Sequence, residues 1–347
     1  MPDSLRFLDA VGGLPEQLAD AHRSARETLD GAPLPTANEV DNIVVLGMGG
    51  SGIAGDALAA ANATLPVPVI VLKQLRTPRF IGPRTLAFAV SYSGDTDETL
   101  EMATGALDAG ARVVAVSNGG ALAELARARG GVHVECPDGY LPRAAIGALV
   151  APLFVALARI GLLPEGDAWL EQAQRQLAAR REKCRPDVPA PANPAREIAR
   201  KIGTTIPIFY GGGALGAVAA LRWKCDVNEN AKAPAFWNVY PELDHNEISG
   251  WGQHGDVTRQ VFTLVELRHD FEHDQLDRRF ALTRGLIEET LVQVLELRAE
   301  GEGRLTQLVD LMYTGDWASC YLALDHDVDP GPIDAIVQLK HALGQSV

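Results

Sequence analysis

Cysteine is scarce in this chain: Cys136, Cys184, Cys225 and Cys320 are all there is, widely spaced and without a C-x-x-C pair. That spacing implies neither a disulfide framework nor a cysteine zinc site, and four buried thiols are expected. Positive charge is also short. Thirty-one Lys and Arg face 45 Asp and Glu, for a formal net charge of -14. The deficit argues against nucleic-acid and anionic-membrane partners, and any anionic small substrate must be held by local donors against an unfavourable overall field. No apolar run is long enough to span a bilayer. The longest, Ala144 to Ala158, is interrupted by Pro152 and closed by Arg159, short of the roughly 20 residues required, and reads as a buried helix kinked near Pro152. Residues Met1 to Gly12 include Asp3, Arg6 and Asp9 and lack the basic start and apolar centre of a secretion signal, so a cytoplasmic location is expected.

What is present is a globular composition, 47% apolar and 22% charged, with 34 glycines and 21 prolines for many tight connections. The length of 347 residues suggests about two domains of roughly 150 residues each. Residues 1–40 read as an amphipathic helical segment, a lid or brace rather than chemistry. From residue 41 to 183, short apolar runs alternate with helical stretches: Ile43 to Leu46, Val67 to Leu72, Leu86 to Val90, Val113 to Val116 and the weaker Val132 to Val134. Such runs are the mark of a doubly wound parallel sheet covered on both faces, a three-layer αβα fold of the α/β class. Four prolines between Pro186 and Pro194 mark residues 184–195 as a semi-rigid linker. Residues 196–347 restart the pattern, because Ile206 to Tyr210 runs into Gly211-Gly212-Gly213 much as Ile43 to Leu46 runs into Gly47-Met48-Gly49-Gly50. Two related α/β halves are inferred, with Val261 to Val265 a further strand and Arg304 to Val309 readable as strand or helix.

Ser91-Tyr92-Ser93-Gly94-Asp95-Thr96 crowds three hydroxyl side chains into six residues directly after an apolar run. A strand ending at Val90 and a helix starting near Asp97 would aim backbone N–H groups and a partial positive dipole at this loop, a cradle for phosphate. Asp95 and Asp97 put two carboxylates beside it, and Asp97 is expected in the first helical turn with its side chain turned away. Gly47, Gly49 and Gly52 fit the G-x-G-x-x-G spacing of a dinucleotide turn, but the acidic residue that should end the second strand is missing, since Val69 to Leu72 leads into Lys73. The glycines are better used to lay a flat polar substrate against the backbone. His269 and His273 are one helical turn apart, yet Asp270 and Glu272 make a solvated segment the better reading than a metal site.

The loop S-x-S-G-x-T, the turn G-x-G-G-S-G, the segment Asn228-Glu229-Asn230 and the segment His245-Asn246-Glu247 ending in Gly250-Trp251 are all present. Together they resemble the bifunctional phosphoglucose/phosphomannose isomerases of the sugar-isomerase (SIS) superfamily, over nearly the whole chain. The resemblance implies two SIS subdomains and an aldose–ketose isomerase of phosphorylated hexoses. It makes Gly49, Gly50 and Ser51 the sugar-contacting turn and Ser91, Ser93 and Thr96 the phosphate loop. By the same likeness Glu229 is the base, Arg143 the family arginine, and His245 and Lys340 the pair serving ring opening. It further implies a homodimer with a shared active site. The residue types suit the reaction: imidazole moves protons in ring opening, one carboxylate can shuttle a proton between neighbouring carbons, and a guanidinium stabilises the enediolate while staying charged. Nothing in this scheme needs a metal or a cofactor. Glucose 6-phosphate alone, mannose 6-phosphate alone, or both are left open as aldoses, and a sugar-phosphate sensor or an isomerase of another phosphosugar is the alternative.

Overall fold

The computed structural model describes residues 3–63 and 65–344. In chain order its elements are α1 (Phe7–Gly12), α2 (Leu14–Leu29), β1 (Asn42–Leu46), α3 (Gly49–Ala61), β2 (Val69–Leu72), β3 (Thr85–Val90), α4 (Asp97–Asp108), β4 (Arg112–Ser117), α5 (Gly120–Ala128), β5 (Val132–Glu135), α6 (Ile146–Ile160) and α7 (Gly166–Cys184). There follow α8 (Pro194–Ile202), β6 (Ile206–Gly212), α9 (Gly213–Asn230), β7 (Phe236–Tyr240), α10 (Gly255–Val261), β8 (Phe262–Arg268), α11 (Asp274–Ile287), β9 (Gln293–Arg298), α12 (Arg304–Asp325) and α13 (Asp334–Ala342). The chain forms two compact units. The first holds Gly13–Gln174 with α13, and the second holds α1 with Arg175–Ile333.

The first unit is built on a five-stranded sheet of order β2-β1-β3-β4-β5, parallel at every pairing. Its central strands are apolar because both faces are covered: every residue of β3 is buried, as are Ile43 to Leu46 of β1. Leu46, Ala89, Ala115, Met102 and Leu122 share one core cluster. Helix α6, buried over nearly its whole length with Pro152 inside it, packs against α2 and α3.

The second unit repeats the plan with four parallel strands in the order β7-β6-β8-β9. The strand order second-first-third-fourth is common to both sheets. Edge strands β7 and β9 gave no clear sequence signal, since β7 exposes Phe236 and Trp237 and β9 alternates charged with apolar residues. Arg304 to Val309 proves to be the start of helix α12, in which every residue from Leu305 to Leu324 is buried. A helix buried all round has no amphipathic stripe, so periodicity could not separate it from a strand.

Residues 184–195 lie within the second unit and are sewn together by Asn193. Its Nδ2 donates to the Cys184 carbonyl (2.9 Å) and to those of Arg185 and Val188 (3.3 Å each), and its Oδ1 caps α8 by accepting from the Arg196 N–H (2.9 Å). Cys136, Cys184 and Cys320 are buried free thiols and Cys225 is half-buried. Among the described residues no helix is long and apolar enough to cross a membrane.

Candidate functional site

In the first unit the loops after β1, β3 and β4 meet at the edge where the strands end. Gly47 turns β1 into α3 so close to β3 that a Cβ there would lie 2.9 Å from the Val90 carbonyl oxygen. The N-cap of α3 is Met48 and that of α4 is Thr96, and neither side chain bonds a first-turn N–H. Gly49, Gly50 and Ser51 form the open first turn of α3. Lys73, which stands where a dinucleotide site would have an acidic residue, forms an ion pair with Asp56 on α3.

The hydroxyl loop between β3 and α4 is tightly organised. Ser91 donates its N–H to the Val116 carbonyl (3.0 Å), and its hydroxyl meets that of Thr96 at 2.9 Å and accepts from the Gly94 N–H at 3.2 Å. Ser93 is exposed, and its Oγ accepts from the Asp95 N–H at 3.3 Å. Gly94 has φ +78°, and a Cβ would sit 2.0 Å from the Gly119 carbonyl oxygen, so only glycine fits this crossing. The Asp95 carboxylate accepts from the Ala121 N–H at 2.8 Å, in the first turn of α5. Asp97 is in the first turn of α4 and exposed, as expected.

Arg143 sits in the single 3-10 turn Pro142–Ala144, which packs on α3, and is buried. Three side chains that the sequence reading left unassigned hold the surrounding loop. The Asn118 N–H donates to the Tyr92 carbonyl (2.8 Å) and its Nδ2 to that of Cys136 (2.7 Å), beside a thiol whose pKa burial pushes up to about 12. The Tyr92 hydroxyl donates to the Pro137 carbonyl and accepts from the Tyr140 N–H, both at 2.9 Å. Buried Gln17 bonds the Ala144 carbonyl and the start of α6. Lys340 is half-buried on α13, in the same unit.

The second unit carries the other two assigned residues. Glu229 is in the last turn of α9, between two asparagines that are both tied down: Asn228 Nδ2 donates to the Ala233 carbonyl and Asn230 Nδ2 to Ser319 Oγ, each at 2.9 Å. Beneath it Arg222 bridges Asp226 (2.9 Å) and Asp316 (2.8 Å), and Trp223 Nε1 donates to the Leu311 carbonyl (2.8 Å), so α9 is clamped on α12. Burial drives the Asp226 carboxyl well above its ordinary range, against the pull of Arg222. His245 ends a 3-10 turn after β7 and is exposed, while the neighbouring Asp244 accepts from Arg279 (2.8 Å) and Thr283 (2.9 Å).

The unit does not bring Glu229 and His245 together. Helix α9 leaves the end of β6 and returns the chain to the start of β7, and 16 residues of helix at 1.5 Å each carry Glu229 about 24 Å back from Gly213. The five residues of β7, roughly 16 Å of extended chain, then rise towards the edge where His245 lies. His269 and His273 make no metal site: His269 Nε2 donates to the Gly212 carbonyl (2.9 Å) and its Nδ1 accepts from the Phe271 N–H (3.2 Å), while His273 Nδ1 caps α11 from the Gln275 N–H (3.2 Å).

Residues 191–343 match the family described as the bacterial phospho-glucose isomerase C-terminal SIS domain. Over 340 residues the chain is 34% identical to the bifunctional phosphoglucose/phosphomannose isomerase of Caldicellulosiruptor bescii, covering 98% of this chain and 99% of that one. It is 31% identical over 303 residues to the protein of the same name from Aquifex aeolicus, covering 87% and 90%. A hypothetical protein from Thermus thermophilus superimposes with a TM-score of 0.70 at 19% identity, covering 98% of this chain and 90% of that one, a likeness of fold.

Proposed function

The chain belongs to the bifunctional phosphoglucose/phosphomannose isomerase family, and from that premise we propose that it interconverts fructose 6-phosphate with glucose 6-phosphate, mannose 6-phosphate or both. The observation that carries the reading is the pair of uncapped helix starts flanking the Ser91–Thr96 hydroxyl loop in a chain of net charge -14. A cradle of N–H and O–H donors at a helix start binds phosphate without a lysine.

In this proposal Ser91, Ser93 and Thr96 hold the phosphate, and Gly49, Gly50 and Ser51 contact the sugar. His245 and Lys340 open the ring by moving one proton off the anomeric hydroxyl and one onto the ring oxygen. Glu229 then takes the C1 proton of the ketose, leaving an enediol, and returns a proton to C2 to give the aldose. Arg143 stabilises the enediolate oxygens as charge develops there. The separation of Glu229 from His245 in one chain supports a homodimer in which His245 reaches the site of the other subunit. A cytoplasmic location fits a substrate of this class.

A direct test is an NMR time course with fructose 6-phosphate and excess EDTA in deuterated water. The aldose 6-phosphates should appear with deuterium at C2, in part or in full, and their ratio reports the epimer preference. Binding without turnover would sink the isomerase assignment and favour a sugar-phosphate sensor or another phosphosugar.

A further inference from the structure

We propose that Tyr92 and Gln17 are positioning residues for Arg143, so that the loop which cradles the phosphate also sets the guanidinium over the reacting carbons. The inference rests on the role given to Arg143 above. The chain from Pro137 to Ala144 that carries Arg143 is irregular apart from one 3-10 turn. Beyond Asn118 at Cys136, two side chains hold it from outside, at positions on either side of Arg143.

Tyr92 lies between Ser91 and Ser93 but turns its ring away from the cradle. Its hydroxyl spends both its hydrogen and a lone pair on the arginine loop, donating to the Pro137 carbonyl and accepting from the Tyr140 N–H at 2.9 Å each. The side chain is 8% exposed, and burial raises its pKa, which keeps the proton that the bond to Pro137 needs. Gln17, on α2, acts from the other end. Its Nε2 donates to the carbonyl of Ala144, the residue after Arg143 (2.9 Å). Its Oε1 accepts from the N–H groups of Gly147 (2.8 Å) and Ala148 (3.2 Å), standing in for the side-chain cap that α6 lacks. The amide can face only one way here, since a flip would set oxygen against the Ala144 carbonyl and NH2 against two N–H groups. At 1% exposure no water competes for these bonds.

The backbone segment that carries Arg143 is therefore anchored at 137, 140 and 144, and Tyr92, which supplies two of these anchors, is part of the hydroxyl loop itself. Orientation of a charge relative to a fixed phosphate matters to the transition state more than to ground-state binding. Loss of an anchor should lower kcat and leave KM nearly alone.

The test is a double-mutant cycle on purified protein, with kcat and KM for fructose 6-phosphate measured for Tyr92→Phe, Gln17→Glu, Arg143→Ala and the two doubles. Gln17→Glu keeps an acceptor at the start of α6, where a carboxylate is welcome, but sets its second oxygen against the Ala144 carbonyl in place of the donor, so the anchor is lost; Tyr92→Phe, which buries no charge, carries the test by itself if the glutamate variant folds poorly. Each anchor variant is expected to lose about tenfold in kcat with KM within about threefold, and Arg143→Ala about a hundredfold or more. Each double should be no slower than Arg143→Ala within about twofold, because an arginine that is absent cannot be mispositioned. Fully additive losses, or a Tyr92→Phe effect confined to KM, would overturn the proposal and leave Tyr92 a support of the phosphate loop alone. Wild-type kcat in Tyr92→Phe and Gln17→Glu beside a slow Arg143→Ala would overturn the positioning role and spare Arg143. Wild-type kcat in Arg143→Ala would overturn the proposal together with the role of Arg143.

Discussion

Asp95 is the residue whose charge most threatens a phosphate cradle, and its surroundings remove the threat. Its carboxylate is turned to the Ala121 N–H in the first turn of α5, where the helix dipole favours it. Asp95→Ala should therefore cost about 1 kcal/mol of stability, the worth of a lost cap, and change KM for fructose 6-phosphate by less than about threefold. A marked tightening of binding would mean that the carboxylate does oppose the phosphate. Glu229 is set differently, between two asparagines whose amides are already bonded. Glu229→Gln should bind the sugar phosphate as before and lose turnover by about a thousandfold, the scale of a missing general base; near-normal turnover would remove Glu229 from the mechanism. The hydroxyl loop was legible in the sequence because its parts are contiguous and the bonds of its Ser91, Ser93 and Thr96 hydroxyls span five residues or fewer. Gln17 was not, since its partners lie 127 to 131 residues away and nothing in an amphipathic helix distinguishes the one glutamine that turns inward.

Among the elements, those that read clearly were the strands buried on both faces, where an uninterrupted apolar run has a single cause. Edge strands β7 and β9 and the all-buried helix α12 did not, because an exposed edge tolerates polar residues and total burial erases period. Two connections after inner strands depend on neutral histidines, one in each unit. His269, after β8, donates through Nε2 to the Gly212 carbonyl and accepts at Nδ1 from the Phe271 N–H, an arrangement that a proton on Nδ1 would break. Burial lowers its pKa from the ordinary 6.5. At β5, His133 meets the Ser117 hydroxyl at 3.0 Å and the Arg127 guanidinium at 3.2 Å, and burial followed by Arg127 lowers it too. For a group depressed in the folded state, the unfolded chain binds the proton first. The stability it supports is full above about pH 6.5 and is lost as pH falls from there through the folded value. The Tm of the wild-type protein should fall between pH 7.5 and pH 5.5, and the gap between it and a His269→Gln variant, itself less stable at pH 7.5, should narrow over that range. A gap that stays constant with pH would show that His269 titrates alike in the folded and unfolded chains.

At the scale of the molecule, two sheets share one strand order but differ in the loops that follow their strands. After its third strand by order of appearance, β3, the first sheet has the hydroxyl cradle. The second has after β8 the loop His269 to His273, whose polar groups bond one another, with Glu272 accepting from Arg268 at 2.7 Å and from the His269 N–H at 3.1 Å. The repeated fold was legible from the glycine turns that open each half, and the hydroxyl loop of the first half and the carboxylate segment of the second were separate in the sequence too, but that the loop after β8 satisfies its own polar groups was not, because it depends on contacts made only in the fold. The second sheet also bears on the proposed homodimer. Glu229 lies towards the edge where its strands begin and His245 towards the edge where they end, so a hexose held by the Glu229 of one chain needs a histidine from elsewhere if His245 takes part. Two inactive proteins, His245→Ala and Glu229→Gln, should on mixing form hybrid dimers in which one of the two sites has both residues intact. With complete random exchange half the dimers are hybrids, each with one good site, so activity should recover to about one quarter of the wild-type value per chain, and to less if exchange is partial. Recovery should track the fraction of hybrids measured by native mass spectrometry. Proven exchange with no recovery would place both residues in one chain's site, and the sheet would then have to rearrange on binding to bring them together.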